Sequence, residues 1–346
     1  MTTDQRVAAL LARLTTEEKI GQMAQVNSSY GKVTEDLAQS IREGRVGSVL
    51  NEVDVGTINE LQRIAVEQSR LGIPLMMGRD VIHGFKTIMP IPLGQAATFN
   101  PEVVEAGASV AAVEAASAGI NWTFAPMIDV TRDPRWGRIA ESLGEDPYVT
   151  SVLGAAMVAG FQGNDLSATG TIAACAKHFA GYGASESGRD YNTTNIPENE
   201  LRNVYLPPFK AAVDAGVSTL MASFSDLDGI PATANRFLMR QILREEWGFG
   251  GFVVSDWASI EQLSIHGLTE NDRGSAYEAV SAGINMEMAS TAYSDHLADL
   301  LAEGRIEIGQ IDEMVAAILK VKFDLGSVSY THLRAHETRY TISYSV

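Results

Sequence analysis

Eight short apolar runs recur along the chain, near residues 23–27, 46–51, 73–80, 122–129, 172–178, 219–225, 252–256 and 283–287. Each is apolar almost throughout instead of alternating, and each is bounded by turn or polar residues. That is the pattern of a parallel strand buried on both faces. Longer helical stretches separate the runs, among them 101–118, 147–161, 198–215 and 235–247. Asn100-Pro101, Asp146-Pro147 and Asn235 supply helix starts, while Gly119, Gly216 and Gly248 follow helix ends. Strand and helix in this alternation predict an α/β fold of the (β/α)8 TIM-barrel type. A doubly wound open sheet is the competing arrangement, but no phosphate-binding fingerprint follows its first strand. The Gly181-Tyr182-Gly183 segment comes after the fifth strand and lacks the third glycine.

Composition narrows the partners. The chain of 346 residues carries 26 Lys+Arg against 43 Asp+Glu, a net charge of −17. A field of that sign repels phosphate backbones and anionic lipid, so neither nucleic acid nor a membrane surface is an expected partner. One cysteine, Cys175, excludes an intramolecular disulfide. No stretch reaches the ~20 apolar residues of a membrane span. The N-terminus reads as an amphipathic helix with charges inside its apolar run, without the h-region of a signal peptide. As written the chain therefore reads as cytoplasmic, or as periplasmic or secreted if a leader precedes it. No His pair has helical i, i+4 spacing and no Asp-rich calcium loop occurs, so neither a metal nor a cofactor is expected.

In a barrel, function concentrates at the C-terminal strand ends. Those positions hold Asn51, Asp80, Asp129, Lys177 with His178, Ser223, Asp256 and Glu287, with Arg138 in the loop after the fourth run. Carboxylates, cations and an imidazole on one face suit a ligand rich in hydroxyls. Each residue also has a structural reading. Asp256 ends an otherwise uncharged run and could cap the next helix. Lys177 is either a Schiff-base amine or a salt-bridged rim lysine. His178 is a base or a hydrogen-bonded structural histidine, and Arg138 a ligand or a clamp on Glu141 or Glu145.

Seven segments, taken together and in order, resemble glycoside hydrolase family 3, especially its bacterial β-glucosidases: LTTEEKIGQM, RDVIHGFKTIMPIPLGQAATFNP, FAPMIDVTRDPRWGRIAESLGEDPY, KHFAGYGASESGRDYN, YLPPFKAAVDAGVSTLMASFSDLDGIPATAN, WGFGGFVVSDW and AGINMEM. The resemblance implies an N-terminal barrel over residues 1–326. It implies retaining hydrolysis of terminal β-D-glucosyl or xylosyl residues from oligosaccharides and aryl glycosides, with Asp256 as nucleophile forming a covalent glycosyl-enzyme. By the same motifs Asp80, Arg138, Lys177 and His178 would hold sugar hydroxyls, Met221 would line the pocket, and Trp257 would be an aromatic platform at its mouth. A core tryptophan is the other reading of Trp257.

Of two departures from the family pattern, the first counts little: Phe224 stands where many members carry a tyrosine that positions the nucleophile, and phenylalanine also occurs among close relatives. A retaining glycosidase also needs a general acid about 5–5.5 Å from its nucleophile. In two-domain members that acid comes from a following α/β sandwich domain, which this sequence lacks. Single-domain members use a His-Asp pair after the KH motif, but the loop here has no histidine; Glu186 and Asp190 are its nearest acids. The expectation is a C-terminally truncated, impaired catalyst. A non-catalytic glycan-binding barrel and, more distantly, a Schiff-base aldolase or lyase using Lys177 are the alternatives. Residues 327–346 depart from the strand–helix pattern and read as a non-native tail resembling a translated sequencing adaptor, or as a surface tail.

Overall fold

The computed structural model describes residues 1–328. Its barrel strands are β1 (Ala24–Asn27), β2 (Ser48–Leu50), β3 (Met76–Arg79), β4 (Trp122–Thr123), β5 (Cys175–Phe179), β6 (Thr219–Ala222), β7 (Phe252–Val254) and β8 (Glu287–Met288), and a two-residue antiparallel pair, Asp226–Leu227 with Ile230–Pro231, lies outside the ring. One parallel sheet runs β8-β1-β2-β3-β4 and a second runs β5-β6-β7. Parallel bridges join them on both sides, Trp122 to Ala173 between β4 and β5 and Val254 to Met286 between β7 and β8. The ring closes in chain order, as the eight apolar runs require, and a helix covers each crossover outside.

The interior is packed. Trp122 meets Phe124 and Phe252 edge-on, with centroids 4.8 and 5.1 Å away, and its indole N–H donates to Thr219 Oγ1 at 2.9 Å. Three strands thereby share one ring. The caps read from sequence form: Asn100 accepts from Glu102 and Val103 N–H, and Asp146 from Tyr148 and Val149 N–H. These start the helices Pro101–Ser117 and Pro147–Gln162, which pack on each other.

Two helix expectations change. The N-terminal amphipathic stretch is two helices, Thr3–Leu11 and Thr16–Gln22, because Thr2 with Gln5 and Thr15 with Glu18 each build a capping box. The stretch 198–215 is broken at Leu206-Pro207, where proline restarts the helix Pro207–Asp214. No helix among the described residues is long and apolar enough to cross a membrane. The tail reading falls outside the described residues from 329 onward. Ser327 and Val328 close on the barrel, Ser327 N–H donating to Lys322 O and Arg6 donating to Val328 O at 2.8 Å.

Candidate active site

Two neighbours on one strand ordinarily point to opposite faces. On β5, however, the register with β6 shifts between Ala176 and Phe179, and Lys177 and His178 both reach partners at the C-terminal rim. Lys177 Nζ pairs with Asp80 Oδ1 at 2.6 Å, Asp80 standing one residue past β3. The lysine side chain is buried and the aspartate half exposed, so the pair runs from the interior to the mouth. This is the salt-bridged arrangement, not that of a free amine awaiting a carbonyl.

His178 is held from both sides. Its backbone N–H and its Nδ1 meet the same oxygen, Asp129 Oδ2, at 3.0 and 2.8 Å. Its Nε2 lies 3.3 Å from Arg138 Nη2 and 3.5 Å from Asp256 Oδ2. Arg138 is itself gripped by Glu141, Nε to Oε1 at 2.8 Å and Nη2 to Oε2 at 2.9 Å. The clamp and the reach to the ring therefore coexist. Burial, together with the charges of Arg138 and Lys177, pushes the imidazole pKa well below its ordinary value. Burial raises the Asp129 carboxyl to about 8, against the hydrogen bond from His178 and the pull of Arg138.

Asp256 stands two residues beyond β7. Its Oδ1 accepts the Trp257 N–H at 2.7 Å, and its Oδ2 is buried with no hydrogen-bond partner among the described residues. The helix-cap reading does not hold: the next helix, Gln262–Ile265, begins six residues on and has no side-chain cap. Burial raises the Asp256 carboxyl to about 6, opposed chiefly by the nearby Lys177. The side chain is thus a carboxylate at neutral pH with one oxygen free.

An aromatic wall backs the ring. Tyr182 meets His178 edge-on at 5.0 Å and Trp136 at 5.1 Å, with Arg138 5.4 Å over its face. Gly183 permits this: a Cβ there would lie 2.3 Å from Val130 O, so only glycine lets the loop press against the strand extension. The glycine pair excluded above as a phosphate loop is a packing device. Phe224 completes the wall, its ring 6.0 Å from Tyr182 and 4.9 Å from Tyr191. In the loop itself, Asp190 accepts the Trp136 indole N–H.

Of the residues singled out, Asp80, Arg138, Lys177, His178 and Asp256 gather at the rim. Met221 lies buried on β6, in register with Val254 of β7. Trp257 is 44 % exposed beside Asp256, which rules out a core tryptophan. Other strand-end residues are engaged elsewhere. Glu287 caps the helix Ala292–Ala302 through the N–H groups of Ala292 and Tyr293, Asn51 bonds Asn27 and Arg79, and Ser223 bonds Ser225. Sequence reading placed Asp129 at the rim but missed its grip on His178. A contact between residues 49 positions apart leaves no spacing signal. Tyr182 carried only its proximity to the KH motif, whereas Glu141 was one of the two clamp partners read for Arg138.

A closed parallel barrel with a buried, half-unpaired carboxylate and a cation-lined rim has the make-up of a barrel protein with a polar pocket at its C-terminal face. Residues 15–321 match the Glycosyl hydrolase family 3 N terminal domain, and the chain belongs to that family. It is 40% identical over 337 residues to the periplasmic beta-glucosidase of Salmonella typhimurium, covering 97% of this chain and 44% of the relative. A beta-xylosidase of Formosa agariphila is 35% identical, with 78% of this chain and 40% of the relative covered. The crystal structure of beta-glucosidase from Listeria innocua superposes with a TM-score of 0.91 at 39% identity, over 97% of this chain and 49% of that one. A structure of the Listeria innocua enzyme in complex with glucose gives the same score. The chain spans about half the length of these relatives.

Proposed function

We propose that this barrel forms the glycosylation half of a retaining β-glucosidase, with Asp256 as nucleophile. Asp256 Oδ2 attacks the anomeric carbon of a terminal β-D-glucosyl residue, or of a xylosyl residue in the same orientation. The glycosidic C–O bond breaks, the leaving oxygen takes a proton from a general acid, and water later hydrolyses the glycosyl ester. The observation that carries the reading is that free, buried Oδ2, in a carboxylate whose other oxygen is tied to Trp257 N–H. Asp80, Lys177 and Arg138 supply charged hydrogen bonds to the sugar hydroxyls, stronger than neutral ones. Met221 forms part of the apolar floor and Trp257 the platform at the mouth. The substrates are small β-glucosides or oligosaccharides, as the relatives' names suggest. The Salmonella relative points to the periplasm as the compartment.

The test is covalent trapping. An activated 2-fluoro-β-glucoside, whose leaving group hardly needs protonation, is incubated with the 346-residue chain and the peptides are mapped by mass spectrometry. A glycosyl adduct on Asp256 is expected. An adduct on any other residue, or none at all, refutes the assignment. Cellobiose, which needs an acid worth roughly 10²–10⁴-fold, is expected to turn over far more slowly than the activated substrate.

A further inference from the structure

The His178 ring lies between Asp129 on one edge and Arg138, which can only donate, on the other. The backbone N–H of His178 donates to Asp129 Oδ2 at 3.0 Å and the same oxygen lies 2.8 Å from Nδ1, so a proton that burial adds to this carboxyl is left to Oδ1, which has no other partner among the described residues. On the other edge the Arg138 guanidinium, which has no acceptor, lies 3.3 Å from Nε2. A neutral imidazole has one N–H and one lone pair, so the hydrogen belongs on Nδ1 and the lone pair on Nε2. Nε2 in turn is 3.5 Å from Asp256 Oδ2, the carboxylate oxygen without a partner.

We propose that Asp129 is a positioning residue that locks His178 as the Nδ1–H tautomer, so that Nε2 cannot donate to Asp256 Oδ2 and the attacking oxygen keeps its full basicity. The opposite tautomer would place an N–H against Oδ2 and stabilise the carboxylate before attack, which slows the reaction. Protonation of the ring would do the same. Asp129, Arg138, Asp256 and Tyr182 face the imidazole, with Lys177 adjacent in the chain and Glu141 behind Arg138. Burial and the two cations hold it neutral. The inference rests on Asp256 being the nucleophile.

Two measurements on the 346-residue chain test it. In long-range ¹H–¹⁵N spectra of ¹⁵N-histidine-labelled protein, with His178 assigned by its loss in His178→Gln, Nδ1 is expected at a pyrrole-type and Nε2 at a pyridine-type shift. The pattern should persist across the neutral pH range in which an ordinary histidine titrates, near 6.5. A protonated Nε2 overturns the proposal, whatever the variants do. Trapping by the 2-fluoro-β-glucoside is expected to slow roughly 10–100-fold in Asp129→Ala, in line with the loss of an outer-shell partner. Asp129→Asn, whose amide oxygen can accept the same two N–H groups, is expected to recover most of that rate. An Asp129→Ala protein that traps as fast as the unaltered chain overturns the proposal, as does an Asp129→Asn protein as slow as Asp129→Ala. Failure of the unaltered chain to trap at all, with the Nδ1–H ring intact, removes the nucleophile reading and leaves the tautomer standing as structure alone.

Discussion

Two lysines are buried in this barrel, one at each end. At the floor, Lys322 of the last helix, Ile308–Asp324, sends its ammonium to Gln22 Oε1, Gly47 O and Pro74 O at 2.8, 2.9 and 2.8 Å. Three donors meet three acceptors, which tie the last helix to the entries of β1, β2 and β3. At the rim, Lys177 has Asp80 as its partner, while Asp129 Oδ1 and Asp256 Oδ2 have none among the described residues. A buried polar group left unmatched costs stability and persists where it serves chemistry. The floor lysine is fully matched, whereas the rim leaves carboxylate oxygens unmatched where the proposed chemistry lies.

The sharpest way to break this contrast is Asp256→Asn. Trapping is expected to fall by on the order of 10⁴-fold or more, as for other nucleophile deletions. The melting temperature should hold or rise, because a buried carboxylate with an unpaired oxygen becomes neutral. A marked fall in melting temperature would mean that the rim, too, is built for stability.

Lys322→Met probes the other end. It orphans three acceptors at once, and a loss of roughly 3 kcal/mol or more in unfolding free energy is expected in denaturant titrations. Trapping per folded molecule should be unchanged. Burial lowers the Lys322 pKa from 10.5 to about 7. Between these values the unfolded chain binds more protons than the folded one, so this lysine makes stability rise with pH from about 7 to 10.5 and leaves it level below about 7, where both states are charged. The variant's deficit against the unaltered chain is therefore expected to widen from pH 7 toward pH 10. A constant deficit would show that the three acceptors hold the ammonium fully charged throughout.

Lys177→Met gives a smaller, directional effect. Asp256 must be ionised to attack, so trapping falls as pH drops through about 6. Removing the cation that most lowers this carboxyl should move that acid limb to higher pH. A limb that stays put would detach Lys177 from Asp256. Smallest of all is Trp257→Ala: the exposed ring is expected to affect KM by no more than about tenfold, the scale of one aromatic contact, with kcat and melting temperature held.

The legibility of the molecule divides along the same line. Strand runs, caps at Asn100 and Asp146 and the closed order of the ring follow from local pattern, because burial on both faces and capping are decided within a few residues. Motif likeness named Asp80, Arg138, Lys177, His178 and Asp256, yet the pattern of residues along the chain did not distinguish Asp256 as a site from Asp256 as a helix cap. Glu287 looks equally site-like at its strand end and is spent on a helix start. Lys322 carried no signal, since a lysine in the amphipathic pattern of a terminal helix looks like any solvated one.

By itself the sequence determined a parallel eight-fold barrel, its acidic character and its membership of a family. The tertiary structure alone decided which polar groups are satisfied. The irregular register of β5 accompanies two neighbours at one rim, Asp129 and Arg138 enclose His178 from opposite edges, and Asp256 is left with one oxygen free. Hydrogen-bond saturation depends on partners tens to hundreds of residues apart, and no local pattern encodes their meeting.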